Sequence, residues 1–470
     1  MLRRFLSDTV LYSIPNFFSR AIGLLLILFY TRYLSPSDYG LIELIIVLFS
    51  LLNVLLPLEI TQGVARHFND ASLKEKSGII STSIIFTIAV FSLFWVLSLA
   101  FSTQFSDYFF SGLIKSPLIS YIFIFFIFYS LLKLCENQLR WSLEPKSFSF
   151  LSISGSLLMS ICPVYLIFFE DLGLEGYIKG ALIGAFFSSL IGLIIVRRTH
   201  ELTLSFHFKI LKELLSFSSP LVLSSAAYYV FNFSDRWMLQ FYVSTDAVGI
   251  YGAASRLASI AIVIHVLFRY SFMPLVYATY KEPETESSIH KIFSFVLHLG
   301  LLFSTCIFLF SSEIVAILLG QSYSQAGSFL WILSLSLLFV NLYFYFPGLS
   351  IAKKTKQMAA ISIFVALLNI IGNFLLIPAY HEYGAAISSF FSSLALLLLY
   401  FWLGQKHYKI NLNFVRLCAF PLLLLCICFL ENAFQFGLFL KLSAFLLCLV
   451  IIFFTHKEFL NEALKDNQPT

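Results

Sequence analysis

The chain has few charged residues for its length. Only 12% of its 470 residues are charged, whereas 59% are hydrophobic and 55 are Phe. Soluble globular proteins carry roughly 25% charged residues, and so few charges cannot cover a core of this size with a soluble surface. The composition excludes a soluble enzyme, a disordered protein and a nucleic-acid binder. It predicts a protein that crosses the membrane several times.

The chain also lacks the residue spacings of metal and catalytic sites. Its seven cysteines lie almost entirely within apolar runs and have no paired metal-ligand spacing, which indicates small buried hydrophobic residues. There is no glycine-rich nucleotide loop, HExxH motif or GxSxG motif. We therefore expect no catalytic residue, no bound metal and no cofactor.

Long apolar runs dominate the sequence, and each can cross ~30 Å of hydrocarbon as a helix. The strands of a membrane barrel alternate over only ~10 residues, which does not fit these runs. Hydropathy predicts an all-α membrane protein with fourteen transmembrane helices, at residues 9–34, 40–58, 78–101, 118–135, 148–169, 177–196, 218–243, 247–275, 290–318, 327–351, 357–377, 384–403, 414–430 and 437–454. No connection is long enough to fold separately, so we expect the function to lie among the helices.

Lysine and arginine are unequally distributed between the two sets of alternate loops. One set, which includes both termini, holds 21 of the 30 cations, whereas the opposite set holds only Lys115 against eight acids. Since cytoplasmic loops are enriched in Lys and Arg, we expect both termini in the cytoplasm. The first apolar run follows Arg3 and Arg4 but continues to Leu34 without a small-residue cleavage site, so we interpret it as a retained helix.

The chain contains an internal repeat with an offset of 204 to 209 residues. Three collinear pairs carry it: residues 180–190 match 384–394, Pro15 matches Pro220, and residues 33–40 match 242–249. The repeat predicts a six-helix bundle over residues 1–209, a second over 210–408, and two additional helices with a cytoplasmic tail over 409–470. Because six is an even number, both bundles have the same orientation. That predicts a two-fold axis along the membrane normal, a central cavity and a transporter architecture.

Charged side chains inside membrane spans are costly, which makes them candidates for function. Four arginines lie within predicted helices 1, 7 and 8, namely Arg20, Arg236, Arg256 and Arg269. The guanidinium group stays charged and binds phosphate through two parallel hydrogen bonds, so these residues suit a cavity for an anionic headgroup. The alternative is that each arginine belongs to a buried ion pair, with Asp235, Glu43 or Glu313 as its partner.

Predicted helices 1 and 7, which the repeat relates to each other, each carry a polar stripe at helical spacing. The stripe of helix 1 comprises Ser13, Asn16, Arg20 and Thr31, and that of helix 7 comprises Ser224, Tyr228, Asn232, Asp235 and Tyr242. We expect the two stripes to face each other across the cavity.

Two further pairs of residues have two interpretations each. Asp235 and Glu43 either bind the ion whose gradient drives transport or pair with a neighbouring arginine. Pro15 and Pro220 occupy matching positions near the cytoplasmic ends of helices 1 and 7. There they either act as hinges for alternating access or only shape the helices.

Three segments of the chain resemble the bacterial oligosaccharide flippases, of the polysaccharide repeat-unit or O-antigen type, in the multidrug/oligosaccharidyl-lipid/polysaccharide export superfamily. The segments are Arg32–Gly40, Asn232–Arg236 and Val248–Arg256, and with the helix layout the resemblance covers nearly the whole chain. It implies a flippase that moves a glycan on undecaprenyl pyrophosphate from the cytoplasmic to the outer leaflet of the bacterial inner membrane. The product would be O-antigen, capsule or exopolysaccharide. A gradient of H⁺ or Na⁺, or the membrane potential, would drive transport, and a polysaccharide polymerase with its chain-length machinery would be the protein partners.

Relatives that flip the peptidoglycan precursor use cavity arginines in helices 1 and 8, which Arg20 and Arg256 match by location. They have another arginine in helix 2, where this chain has Glu43 and Asn53. That departure favours a surface-polysaccharide unit as the substrate. Two rival functions are an ion-coupled exporter of drugs or organic cations, which would need acids to dominate the cavity, and a membrane polymerase or acyltransferase. The polymerase would need a large outer loop with arginines, and the acyltransferase a catalytic histidine near the membrane surface.

Overall fold

The computed structural model describes residues 2–200, 205–262, 265, 272–273 and 275–457, and these are almost all helical. The first eleven α-helices are α1 (Leu2–Tyr33), α2 (Pro36–Leu55), α3 (Ile60–His67), α4 (Leu73–Ala100), α5 (Ser102–Phe110), α6 (Ser116–Trp141), α7 (Pro145–Phe168), α8 (Gly173–His200), α9 (Phe208–Ser218), α10 (Val222–Tyr242) and α11 (Thr245–Ala258). The helices after residue 282 are α12 (Pro283–Leu309), α13 (Ser311–Leu318), α14 (Ala326–Leu342), α15 (Gly348–Ile351), α16 (Thr355–Gln405), α17 (Phe414–Phe434) and α18 (Leu438–Thr455). Short 3₁₀ turns lie at Ser219–Leu221, Ser259–Ile262, Gln321–Tyr323 and Tyr343–Tyr345.

Ten helices within the described residues are long and apolar enough to cross a membrane, which confirms the all-α, multi-span class. One of them, α16, is 51 residues long and has non-helical backbone angles at His381, so it consists of two helices joined at a kink. Predicted helices 1, 8 and 13 include residues or side chains outside the described part of the chain. The total of fourteen therefore stays a prediction.

The start of α2 shows how the sequence encodes a helix end at the turn that follows α1. The Ser35 side chain accepts a hydrogen bond from the Asp38 backbone N–H at 3.1 Å, and Pro36 occupies the first helical position. A serine N-cap accepts a hydrogen bond from a backbone N–H that has no partner within the helix. Proline at the first helical position has no backbone N–H that would need a partner. These residues fix where α2 begins.

Residues Met1–Gly252 form one compact unit. In it, α8 packs along α6 and α7, α1 packs on α7, and α10 packs on α2. The nearly fully buried core includes Ile80, Leu132, Leu151 and Val196, from α4, α6, α7 and α8. Because α9 and α10 pack on α3 and α2, the start of the second predicted repeat belongs to the same compact unit as the first repeat. The boundaries at residues 209 and 408 rest on sequence similarity and stay predictions.

Residues Ala253–Thr470 form the second unit. Here α12 packs against α14 and against the last two helices, α17 and α18. Leu302, Phe420 and Cys448 belong to the cluster that joins α12, α17 and α18. The Lys441 ammonium lies 2.9 Å from Glu313 Oε1 and ties α18 to α13. The two additional helices are therefore held by both apolar packing and an ion pair.

Candidate functional site

The first turns of α2 and α11 make a very close contact, which needs glycine in both helices. A Cβ atom added to Gly40 would overlap the Thr245 carbonyl oxygen, and one added to Gly249 would overlap the Pro36 carbonyl oxygen. Thr245 follows Pro36, and Gly249 follows Gly40, by the offset of 209 residues that relates the segments 33–40 and 242–249. Positions that match in the repeat therefore touch each other reciprocally.

Asp235 on α10 is buried, with 3% of the residue exposed, and it accepts several hydrogen bonds. Arg236 Nη1 donates to Asp235 Oδ1 at 2.8 Å and to Oδ2 at 2.9 Å, and the Tyr251 hydroxyl donates to Oδ2 at 2.7 Å. Arg236 Nη1 also donates to the Asn232 carbonyl oxygen at 3.0 Å. A buried carboxylate is stable in its charged form when a cation and further donors surround it. Arg236 thus takes part in the buried ion pair that the sequence analysis left open as the alternative to a cavity position.

Glu43 on α2 is a second buried carboxylate of this region, with 6% of the residue exposed. Its side chain packs on α11, since a Cβ atom added to Gly252 would come 2.5 Å from Glu43 Cγ. Its negative charge also interacts favourably with Arg236. Glu43 and Asp235 therefore act on the same arginine, where α2, α10 and α11 come together.

Arg20 lies exposed on α1, in contrast to the buried ion pair. Further along the same predicted stripe, Thr31 is buried and donates to the Ile27 carbonyl oxygen at 2.8 Å. The side chains of Ser13 and Asn16 lie outside the described part of the chain. Where it is described, the stripe of α1 is therefore exposed at Arg20 and buried at its C-terminal end.

The stripe of α10 changes exposure in the same direction. Ser224 is exposed, and Tyr228 is exposed over 68% of its surface. Asn232 is half-buried, with its amide donating to the Tyr228 carbonyl oxygen at 2.7 Å, and Asp235 is buried. Tyr242, the last residue of the predicted stripe of α10, is exposed over 37% of its surface. The two helices that the repeat relates thus expose polar groups in their N-terminal parts and bury Thr31 and Asp235 further along, but in α10 the burial does not extend to the end of the stripe.

The other two predicted arginines belong to predicted helix 8. Arg256 is half-buried in the last turn of α11 and takes part in polar interactions. Arg269 lies outside the described residues. The four arginines are therefore not equivalent: Arg20 is exposed, Arg236 is paired and Arg256 is half-buried.

The matching prolines have different local structures. Pro15 is buried within the continuous helix α1, whereas Pro220 is exposed in the 3₁₀ turn that separates α9 from α10. Proline removes one backbone hydrogen bond in either place, but only the second site shows a break between helices. The hinge role of both residues stays a prediction.

Two contacts of this region were not predicted from the sequence. Tyr251 lies within the segment Val248–Arg256, but nothing in the sequence marks it as a partner of Asp235. The contact between Gly40 and Gly249 had a signal, because the repeat already aligned the two residues. A single helix pattern does not tell whether aligned residues also touch.

Comparison with known proteins identifies the family. Residues 5–275, more than half of the chain, match the family described as polysaccharide biosynthesis protein, and residues 220–375 match the MatE family. The comparison with curated proteins gives no match.

Solved structures share the fold over most of the chain. A lipid II flippase MurJ in an inward closed conformation is 19% identical with a TM-score of 0.71, over 96% of this chain and 100% of that one. An inward-facing multidrug resistance MATE family transporter of the MOP superfamily is 14% identical with a TM-score of 0.63, over 87% and 95% of the two chains. The chain therefore belongs to the polysaccharide biosynthesis protein family, and it shares its fold with this flippase and this MATE family transporter.

Proposed function

We propose that the chain is a flippase for oligosaccharide repeat units linked to undecaprenyl pyrophosphate. It would move them from the cytoplasmic to the outer leaflet of a bacterial inner membrane, for the synthesis of O-antigen, capsule or exopolysaccharide. The family's description supports a role in polysaccharide synthesis. A protein of similar fold is a flippase for lipid II, which supports a lipid-linked substrate.

The observation that carries this proposal is the exposed Arg20 on a polar stripe of a long apolar helix. An arginine at membrane depth is costly in hydrocarbon, so its exposure favours a water-filled volume beside it. We assign Arg20 and Arg256 to the pyrophosphate, since guanidinium groups bind phosphate with two hydrogen bonds. Asn16, Ser224, Tyr228 and Asn232 would meet the sugars. Arg269 is the remaining candidate cation of the cavity.

The proposed topology has two parallel six-helix repeats, two additional helices and both termini in the cytoplasm. In this orientation the first turns of α2 and α11 lie on the outer side, where the loops are acidic. Their glycine contact would close the outer end, while the exposed parts of both stripes would be open to the cytoplasm. Alternating access then requires α2 and α11 to separate, with Pro15 and Pro220 as hinges.

We propose that Asp235, Arg236 and Glu43 stabilise the contact between α2, α10 and α11 in this cycle. The hydrogen bonds of Arg236 and Tyr251 occupy both oxygens of Asp235. A carboxylate held in this way is a poor site for a coupling ion, which would have to displace the arginine. The polysaccharide polymerase and its chain-length machinery would be partners on the outer side, where the product leaves.

A second candidate function is the export of drugs or organic cations. The MatE match over residues 220–375 and the fold shared with MATE transporters favour it. A cation exporter needs an unpaired acid in its cavity, however, whereas Asp235 is paired and the exposed charged residue on the stripe is Arg20. The charges therefore favour an anionic substrate.

Substitution of Arg20 tests the proposal. Arg20→Ala should lower surface glycan display by roughly tenfold or more, since charge-assisted hydrogen bonds to phosphate are worth about 1.5–3 kcal/mol each. Arg20→Lys should retain part of the activity, because the charge remains and the two-pronged geometry is lost. Display is measured with a glycan-specific antibody or lectin in cells that lack the chromosomal copy.

Arg66→Ala is the matched control for this experiment. Arg66 is exposed and forms a surface pair with Asp70 at 2.8 Å, and such pairs contribute about 0–1 kcal/mol. The control should display glycan at the wild-type level, with the same amount of protein in the membrane. Wild-type display by both Arg20→Ala and Arg256→Ala would refute the cavity assignment.

A further inference from the structure

The helices α7 and α8 of the first unit form a hairpin that is long and apolar enough to cross a membrane twice. A connection of four residues, 169–172, joins the end of α7 at Phe168 to the start of α8 at Gly173. The two helices pack closely along each other, since a Cβ atom added to Gly180 would overlap the backbone of Pro163. The start of α7 and the end of α8 therefore lie on the same side, which the charge distribution assigns to the cytoplasm.

Each helix of this hairpin carries a stripe of apolar side chains that are more than one third exposed. The stripe of α7 comprises Phe150, Leu157, Ile161 and Phe168, and that of α8 comprises Ile183, Phe187, Leu190 and Ile194. Successive members are three, four or seven positions apart, so each stripe follows one helix face. On a membrane-spanning helix, an exposed apolar face is in contact with the acyl chains of lipids.

Three exposed cations lie at the cytoplasmic ends of these stripes and on the same helix faces. Lys146 precedes Phe150 by four positions on α7, and Arg198 follows Ile194 by four positions on α8. Arg197 follows another stripe residue of α8 by seven positions. No ion pair of these three side chains occurs among the described residues. Their charges are therefore open to a ligand that lies along the stripes.

The charges and the apolar stripes together select the kind of ligand. Glu144, half-buried in the turn before α7, is the one carboxylate in that turn. Against three cations it leaves a surplus of two positive charges at the described ends of the hairpin. A ligand that is anionic at one end and apolar over the rest of its length complements this surface, and a phospholipid has that form. An acidic soluble protein would reach the cations from the cytoplasm, but it would leave the stripes uncovered.

We propose that the cytoplasmic end of the α7–α8 hairpin binds an anionic phospholipid of the surrounding membrane. Its phosphate contacts Lys146, Arg197 and Arg198, and its acyl chains lie along the two stripes. Ammonium and guanidinium groups form strong, charge-assisted hydrogen bonds with phosphate, and basic pockets between spanning helices on the cytoplasmic side bind lipid headgroups in this way. The proposal is independent of the transported substrate, and the bound lipid stabilises the folded first unit.

The test measures lipid binding to the purified full-length protein in detergent by native mass spectrometry. Four probes are titrated: cardiolipin, phosphatidylglycerol, phosphatidylethanolamine, which has no net charge, and inorganic pyrophosphate, which has no acyl chain. The variants are Lys146→Gln and the double variant Arg197→Gln/Arg198→Gln. Lys209→Gln/Lys212→Gln is the matched control, because it removes two exposed cations on the same side from α9, which has only 11 residues and is too short to cross the membrane.

The wild type should bind cardiolipin and phosphatidylglycerol more tightly than phosphatidylethanolamine, and pyrophosphate far more weakly than any of the anionic lipids. Each cation near a membrane surface contributes roughly a factor of five to the binding of anionic lipid. Cardiolipin should therefore bind roughly fivefold more weakly to Lys146→Gln and roughly 30-fold more weakly to the double variant. The α9 control should bind it like the wild type. Cardiolipin should raise the melting temperature of the wild type more than that of the double variant.

Three other results would overturn the proposal in different ways. Unchanged cardiolipin affinity in Lys146→Gln and in the double variant would mean that these cations only set the orientation of the chain in the membrane. An equal loss of affinity in the α9 control would indicate a general attraction between anionic lipids and a basic surface. Pyrophosphate binding as tight as that of cardiolipin would identify a phosphate site to which the apolar stripes contribute nothing.

Discussion

Gly40→Ala is the substitution whose effect follows most directly from the structure. The new Cβ would overlap the Thr245 carbonyl oxygen, well inside the 3.0 Å below which such contacts essentially never occur. The overlapping atom belongs to the backbone, so no side-chain rotation relieves it. The first turns of α2 and α11 would have to move apart by roughly 1 Å, since carbon and oxygen need ordinary contact distance.

The cost of this overlap sets the size of the effect. Overpacking of a tight contact costs about 1–3 kcal/mol. If α2 and α11 separate during transport, the added Cβ destabilises only the closed form. The equilibrium should then shift toward the separated form by roughly fivefold to 150-fold.

Spin labels at Tyr33→Cys and Tyr242→Cys measure this shift in a variant without the seven native cysteines. Both tyrosines are exposed and lie at the C-terminal ends of α1 and α10, directly before α2 and α11. Double electron–electron resonance should report a larger population at long distances for Gly40→Ala than for the parent protein. An unchanged distance distribution would refute the view that this contact closes the outer end.

Gly23→Ala is the matched control for the spin-label experiment. Gly23 lies on α1, and an added Cβ would have no atom within 4 Å. Alanine in a helix is favoured over glycine by about 1 kcal/mol, so this variant should be slightly more stable. Its distance distribution should equal that of the parent.

Two further predictions concern buried polar groups. Tyr251→Phe removes the hydrogen bond to Asp235 and should lower the free energy of unfolding by about 1.5–3 kcal/mol. Asp235→Asn removes the carboxylate that hydrogen-bonds Arg236 and leaves only Glu43 as counter-charge, so it should cost more, up to about 3–5 kcal/mol. Equal melting temperatures of the two variants in detergent would contradict a charged pair. His456 hydrogen-bonds His298 at 2.9 Å, and burial, together with the charges of neighbouring histidines, lowers the pKa of His456 from 6.5 to about 4. Between pH 6.5 and pH 4 the imidazole of His456 is therefore protonated in the unfolded chain but neutral in the folded protein. The free energy of unfolding should fall as the pH is lowered through this range. His456→Asn should melt with a weaker pH dependence over that range, and an identical dependence would exclude His456 as the cause.

Sequence periodicity predicts which residues share a helix face, but not how deeply that face is buried. It predicts that Tyr228 and Asp235 share one stripe of α10, yet the first is exposed and the second is buried. Asp235 is covered by its hydrogen-bond partners Arg236 and Tyr251, the second of which comes from α11. Helical spacing carries no information on where along its length a helix meets its neighbours.

The ion pair illustrates a second limit. Arg236 follows Asp235 directly, and neighbouring residues on a helix do not normally face each other. Here Arg236 Nη1 nevertheless reaches both oxygens of Asp235, and Tyr251 from α11 completes the arrangement. Rotamer choice and a third residue from another helix decide this pairing, so the sequence left two alternatives.

Local backbone geometry also decides how many separate helices the structure has, and hydropathy does not predict it. Hydropathy predicts separate helices at 357–377 and 384–403, whereas the structure has one long helical segment with a break in backbone angles at His381. Pro378 precedes the break by three residues and removes a backbone donor there. The two descriptions agree on two crossing segments, and they differ in whether a loop separates them.

The exposure of polar residues along α1 and along α10 supports the same interpretation of both helices. An exposed arginine on one helix has a second explanation, since long side chains near a helix end reach the interface. That explanation does not account for Ser224 and Tyr228, which are exposed on the helix that the repeat relates to α1. Nor does it account for the burial of Thr31 and Asp235 further along both stripes. A water-filled volume that is open at one end and closed where α2 meets α11 would explain the exposure of Arg20, Ser224 and Tyr228 and the burial of Thr31 and Asp235, and it makes Arg20 the first residue to test.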